Sequence, residues 1–268
     1  MNFLSRLFKG SAPSRPVAIE NRRVYAVGDI HGCDDLLAGL LGGIEADLKA
    51  GETPLIVFLG DYVDRGPDSR GVIERLVQLS AKWPGTRFLG GNHEEAMLRF
   101  LSDMEAGLVW SNYGGKAAMR SYGVEPPADD NDFEGWQKAH DLLKAAIPES
   151  HMRFLWGLED SIELGDYLFV HAGVHPDRAL DAQSTRDLRW IREPFLSDTR
   201  RLGKIIVHGH TPKPEPHIDE RRIGVDTWAY STGVLTAVEL VGGQRGFIQA
   251  SRVDGVVSVS RIDVEEDA

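Results

Sequence analysis

One pattern, repeated along the chain, constrains the fold more than any other. A short apolar run ends in a polar loop that sets glycine beside Asp, Asn or His. Val24 to Val27 leads into Gly28-Asp29-Ile30-His31-Gly32, and Leu55 to Leu59 into Gly60-Asp61-Tyr62-Val63-Asp64-Arg65-Gly66. Arg87 to Leu89 leads into Gly91-Asn92-His93-Glu94. Helix-period segments follow. The first runs from Asp34 to about Lys49, with Leu36, Leu37, Leu40, Leu41, Ile44 and Leu48 along one side. The second carries Val72, Ile73, Leu76, Val77 and Leu79, and the third runs from Glu95 to Leu101. Short apolar runs alternating with such helices predict an α/β core with parallel strands.

The pattern stops between about 102 and 158. That stretch holds helical pieces, Trp136 to Ala145 and Met152 to Leu158, and a loop at Pro126-Pro127, but no buried-strand pattern. It predicts a helical insertion placed over the core. Strand patterns then resume. Ser161 to Leu164 and Tyr167 to Val170 flank Gly165-Asp166, a two-residue hairpin signal. Lys204 to Val207 ends in His208-Gly209-His210, and the residues from about 223 onward read as strands. The Pro- and Ser-rich stretch Gly10 to Pro16 reads as a linker, so residues 1–20 are assigned to a tail and 21–268 to one domain.

Charge narrows the partners. Lys+Arg number 30 and Asp+Glu 41, so the net charge of −11 repels nucleic acid and anionic lipid. A phosphorylated substrate would need cations fixed at the site. No apolar run approaches the roughly 18 residues of a membrane span. The N-terminal MNFLSRLFKG lacks the continuous apolar core of a signal peptide. Cys33 is the single cysteine, which rules out an intrachain disulfide and fits a reducing compartment. The expectation is a cytoplasmic protein without stable membrane insertion and without a nucleic-acid partner.

In an open α/β sheet the carboxyl ends of the strands share one edge, where ligands bind. Asp29, His31, Asp61, Asn92, His171 and one of His208 or His210 are therefore expected to converge. Each alone is also what a hydrogen-bonded structural residue looks like; the set is what argues for a site. Its donors are nitrogen and oxygen without thiolate, which favours Mn, Fe or Zn over soft metals, and over Mg alone. Two carboxylates against two divalent ions leave a net charge of about +2, which attracts phosphate and lowers the pKa of a shared water. Asp61, with two carboxylate oxygens, is the bridging candidate.

Taken in order, Gly28-Asp29-x-His31-Gly32, Gly60-Asp61-x-x-Asp64-Arg65-Gly66, Gly91-Asn92-His93-Glu94, His171-Ala172-Gly173 and Gly209-His210-Thr211-Pro212 resemble the calcineurin-like metallophosphoesterases. Within them they resemble the bacterial relatives of the PPP-type serine/threonine protein phosphatases, from about Arg23 to the C-terminal strands. The resemblance implies a β-sandwich of two mixed sheets flanked by helices, with a helical cap insertion. It implies two divalent ions, Mn²⁺ foremost, with Fe or Zn as alternatives. Asp29, His31 and bridging Asp61 would hold one; Asp61, Asn92, His171 and His210 the other, with His208 outside. Hydroxide bridging the two ions would attack the phosphoester. His93 would be the general acid, oriented by Asp64, and Arg65 and Arg192 would clamp the phosphate.

The implied activity is a phosphomonoesterase acting on phosphoserine and phosphothreonine in proteins or peptides. The alternative is symmetrical hydrolysis of dinucleoside tetraphosphates, and a third reading is a non-catalytic binding module. Asp64-Arg65 and Glu94 side with the protein phosphatases. The insertion, with Trp110, Tyr113, Trp136 and Trp156, would either roof a peptide groove or pack as helices. Two departures bear on substrate: Gly90 stands where eukaryotic relatives have Arg, and Trp228 where many relatives have Gly.

Overall fold

Alternation within the strands decides the layering. Side chains along a strand point to opposite faces in turn. In β1 (Arg23–Val27), Tyr25 and Val27 enter one apolar cluster, while Val24 and Ala26 enter another. β2 (Leu55–Phe58) repeats the split, with Ile56 and Phe58 on the first side and Leu55 and Val57 on the second. A sheet apolar on both faces must be covered on both. A computed structural model shows how, over residues 16–19, 22–49 and 51–263. The tail and linker expected at 1–20 lie almost wholly outside these described residues.

The first sheet adds β3 (Arg87–Phe88) to β1 and β2 and is completed from the far end of the chain. The second is built from the middle: β4 (Ser161–Leu164), β5 (Tyr167–Val170), β6 (Ile205–His208), β7 (His217–Ile218) and β8 (Arg222–Gly224). Then come β9 (Val234–Val241), β10 (Gln244–Val253) and β11 (Val256–Asp263), giving a six-stranded order β11-β10-β9-β1-β2-β3 beside a five-stranded β4-β5-β6-β8-β7. β1, β2 and β3 run parallel, as do β5, β6 and β8. β9 runs antiparallel to β1, so the sheets are mixed rather than wholly parallel. The expected hairpin forms, pairing Leu164 with Tyr167 across Gly165-Asp166. Between the sheets lie Val24, Val57, Phe169, Val207, Ile223 and Val238, among others.

Helices close both outer faces. α1 (Asp34–Ala46), α2 (Ser69–Lys82) and α3 (Asn92–Ser102) cover the first sheet. The insertion continues with α4 (Gly107–Trp110), a wide turn over Ser111–Gly115, α5 (Lys116–Ser121), α6 (Phe133–Ala146) and α7 (Glu149–Trp156). Asp68 and Asp132 start α2 and α6 by accepting from the N–H groups of Gly71 and Gly135, at 2.7 and 2.9 Å. On the second sheet, α8 (Thr185–Trp190) places Leu188 beside Val170 and Ile206, with Ile191 and Phe195. The short α9 (Ala229–Thr232) precedes β9.

The insertion mostly extends the core, and of its four aromatic groove candidates Tyr113 faces the cavity described below. Trp110 and Trp136 are fully enclosed in the cluster that carries Tyr25 and Phe58, whereas Trp156 is exposed. A polar latch fastens the insertion to α2. The Tyr122 hydroxyl meets His151 Nδ1 at 2.9 Å, and His151 Nε2 meets Glu74 at 2.9 Å. Among the described residues, no helix is long and apolar enough to cross a membrane.

Candidate active site

Six strands end at one rim of the sandwich. Asp29 and His31 follow β1, Asp61 follows β2, and Asn92 opens α3 just after β3. His171, His210 and Asp226 follow β5, β6 and β8 on the other sheet. All seven are buried. The loops turn sharply to present them. His31, Asp61, Asp64, Arg65, His210 and Trp228 all have positive φ, between 46° and 75°. Such conformations are costly for side-chain-bearing residues and gather at functional sites.

Asp61 is the centre. His171 Nε2 lies 3.4 Å from its Oδ1, and His31 Nε2 lies 3.6 Å and His93 Nε2 3.8 Å from its Oδ2. Two groups of donor atoms converge closely enough to hold an ion: His31, Asp61 and His93, and Asp61, His171 and His210. Asn92 joins the second through Oδ1, 3.0 Å from His171 Nε2. Asp29 stands beside them, its carboxylate accepting the His210 N–H at 3.1 Å. Gly91 makes the close packing feasible, because a Cβ there would lie 2.1 Å from Asp61 Oδ1.

The donors suit divalent ions. Nδ1 of His31 and of His171 each bond a backbone carbonyl, Val63 and Leu59, at 2.9 Å, which turns Nε2 inward. His210 Nε2 is buried without any hydrogen-bond partner. Burial, helped by neighbouring imidazoles, pulls His31 down to about 3 and His210 to about 2, and burial also lowers His171. All three are thus neutral, the form that ligates. Burial alone would raise Asp61, but His171, His93, His31 and His210 outweigh it and hold the carboxylate below its usual range. Asp29 is pushed well up by burial and by Asp226 and Asp61, a crowding of carboxylates that a cation would relieve.

His93 is set apart by its partner. Its Nδ1 lies 2.6 Å from Asp64 Oδ2, and Asp64 is also held by the Trp110 indole N–H at 2.9 Å. Burial would lower His93, but Asp61 and Asp64 dominate and push it up to about 9. Glu94 has a different task. Its carboxylate accepts N–H bonds from Asp61, Tyr62, Val63 and Gly91 at 2.7 to 3.2 Å, tying two loops together. It braces the site and is absent from the cavity lining, so any bearing on substrate would act through the loops it ties.

Above these residues opens a cavity of about 310 Å³. Arg65 and Arg192 both line it. Arg65 donates to the Tyr230 hydroxyl at 2.9 Å and abuts Gly114 of the insertion, and Arg192 donates to the His210 carbonyl at 3.2 Å. His208 points elsewhere, with Nε2 3.1 Å from Arg222 Nη1 and its ring against Phe195. Sequence reasoning found the walls only in part, naming Tyr113 as a groove candidate and Trp228 as a departure bearing on substrate, but not Trp190 or Tyr230 as walls. Trp190 and Tyr113 form one edge-on ring pair and Trp228 and Tyr230 another, at 6.3 and 6.2 Å between centroids, and all four line the cavity. Asp226 also lines it; its place after a buried strand was the signal available.

Known proteins agree with this architecture. A family model for calcineurin-like phosphoesterases matches residues 22–257. The bis(5'-nucleosyl)-tetraphosphatase PrpE [asymmetrical] of Bacillus subtilis (strain 168) is 29% identical over 231 residues, covering 78% of this chain and 87% of its own. The protein of the same name from Oceanobacillus iheyensis is 26% identical, covering 80% and 87%. A crystal structure described as a candidate diadenosine tetraphosphatase superposes with a TM-score of 0.63 at 23% identity, over 90% of this chain and all of that one. A cold-active protein-tyrosine phosphatase of a psychrophilic Shewanella species gives 0.56 at 17%, over 92% and 82%. These two likenesses show the shared fold alone. From the match over residues 22–257 and the two His/Asp groups at the rim, the chain belongs to the calcineurin-like phosphoesterases.

Proposed function

We propose that this chain hydrolyses dinucleoside polyphosphates, releasing a nucleoside monophosphate, with Asp29, His31, Asp61, Asn92, His171 and His210 holding two divalent ions. One observation carries the reading: two aromatic pairs, Tyr113 with Trp190 and Trp228 with Tyr230, flank the donor groups in a cavity that also presents Arg65 and Arg192. Aromatic faces take nucleobases, and arginine forks take phosphate oxygens. The activity for which those relatives are named supports the same substrate class, and supports asymmetrical cleavage in place of the symmetrical cleavage expected from the sequence.

Divalent ions, with Mn²⁺ expected to serve best, would polarise the phosphoryl oxygens and lower the pKa of the attacking water. Arg65 and Arg192 hold the phosphoryl group as charge spreads over its oxygens. His93, protonated at neutral pH and fixed by Asp64, donates from Nε2 to the leaving oxygen. A phosphoserine or phosphothreonine peptide is the second reading, favoured by the Asp64-Arg65 string. It is weakened by the packing of Trp110 and Trp136 in the core, which takes two of the aromatic groove candidates away from the surface.

The test compares kcat/KM for diadenosine tetraphosphate, phosphoserine and phosphothreonine peptides and p-nitrophenyl phosphate, with Mn²⁺ and after chelation. Diadenosine tetraphosphate should lead, yielding AMP and ATP, and chelation should abolish all turnover. A peptide with the higher kcat/KM would reinstate the protein-phosphatase reading.

A further inference from the structure

Trp228 stands where its backbone is strained and its ring is not repaid by burial. It precedes α9 with φ 63° and ψ 46°, the left-handed region that large side chains rarely enter. The turn is fixed in place: Asp226 Oδ1 accepts the Trp228 N–H at 2.9 Å, and the Trp228 carbonyl accepts from Ser231 and Thr232 at 2.8 and 2.9 Å. Yet the side chain is 41% exposed and faces the cavity above the donor groups. Strain of this kind, kept beside a site, points to use.

The neighbours show what the use is. Tyr230 packs edge-on to Trp228 at 6.2 Å and edge-on to His31 at 5.3 Å, and its hydroxyl accepts from Arg65 at 2.9 Å. An exposed indole therefore sits one ring away from a proposed metal ligand and beside a proposed phosphate clamp. Trp190, in the opposite pair, is less free, since its indole N–H is engaged by Glu95 at 3.3 Å.

We propose that Trp228 is the stacking platform for one nucleobase of the substrate and that its position selects the phosphoanhydride that is cut. The proposal rests on the nucleotide reading above and adds its geometry. In a nucleoside 5'-polyphosphate, one ribose separates the base from the first phosphorus. A base on Trp228, one ring from His31, brings that first phosphorus to Asp61 and Arg65. The water oxygen bonds to this phosphorus, and the bridging P–O bond breaks with its electron pair on the triphosphate side. That oxygen takes the proton from His93, and diadenosine tetraphosphate yields AMP and ATP.

The experiment uses the full-length, Mn²⁺-loaded protein and reads inhibition of p-nitrophenyl phosphate hydrolysis by two probes, AMP and ribose 5-phosphate. They differ only in the base, so the ratio of their inhibition constants measures stacking within each protein. In the wild type AMP should bind at least about five-fold more tightly, the lower end of what base–aromatic stacking supplies. Trp228→Gly, which accepts the positive φ without strain, should bring the ratio to about one, and Trp228→Phe should keep most of it. With diadenosine tetraphosphate, Trp228→Gly should lower kcat/KM and let ADP appear beside AMP and ATP. If Trp228→Gly does not fold, Trp228→Asn, also tolerant of this backbone region, reads the same ratio. An unchanged ratio in the folded variant overturns the proposal. A wild type inert toward diadenosine tetraphosphate, whose AMP preference still collapses in Trp228→Gly, would overturn the substrate reading and leave the platform standing.

Discussion

At the scale of single residues, the site is a set of assigned hydrogen bonds. His31 and His171 are each fixed by a backbone carbonyl, whereas His93 is fixed by a carboxylate. Burial keeps His31 and His171 neutral, whereas at His93 Asp61 and Asp64 outweigh burial and hold the proton. The consequence shows in leaving groups. His93→Ala should cost about 10²–10⁴-fold on alkyl phosphates, whose leaving oxygen needs a proton. On p-nitrophenyl phosphate, whose phenolate leaves unaided, the deficit should shrink sharply while metal content by elemental analysis stays at the wild-type level. Equal deficits on both substrates, or a loss of metal, would make His93 a ligand instead of the acid.

At the scale of elements, the strand-loop-helix pattern was legible because the strands are short, apolar and followed at once by their functional loops. Leu36, Leu37, Leu40, Leu41 and Ile44 do line the buried side of α1. The start of α3 was placed late, at Glu95, because Asn92 and His93 read as loop chemistry while they in fact form its first turn. The aromatic walls were legible only in pieces: Tyr113 stood out as a groove candidate and Trp228 as a departure, but their meeting with Trp190 and Tyr230 joins three segments that only folding brings together, and no spacing links them. The destiny of the insertion was not legible. Apolar residues at helical spacing look alike whether they line a groove or fill a core. The latch at Tyr122, His151 and Glu74 shows how firmly this one is attached. His151 is fully buried, so His151→Ala strands the Tyr122 hydroxyl and should destabilise the fold by about 2–3 kcal/mol, read from the urea midpoint. Leu142→Ala, at a half-exposed position on α6, should stay within about 0.5 kcal/mol. Equal midpoints for the two variants would show that the latch holds nothing.

At the scale of the whole molecule, the order of strands matters more than their number. The first sheet joins the two ends of the chain, since β1 pairs with β2 on one side and with β9 on the other. β9 also supplies Leu235, Ala237, Val238 and Leu240 to the core. A chain ending at Gly233 keeps Asp29, His31, Asp61, Asn92, His171 and His210, yet it should show no cooperative melting and no Mn²⁺ binding by titration calorimetry. Mn²⁺ binding of wild-type strength in that truncation would mean that the rim assembles without β9, β10 and β11. The same topology sets a timetable for biosynthesis. On the ribosome, the edge of β1 stays open until β9 has been made, because the two pair across most of the described sequence. Asp29, His31, Asp61, Asn92, His171 and His210 all precede β9, so every candidate ligand exists before the frame that aligns them is closed, and metal loading becomes an event that follows the docking of β9.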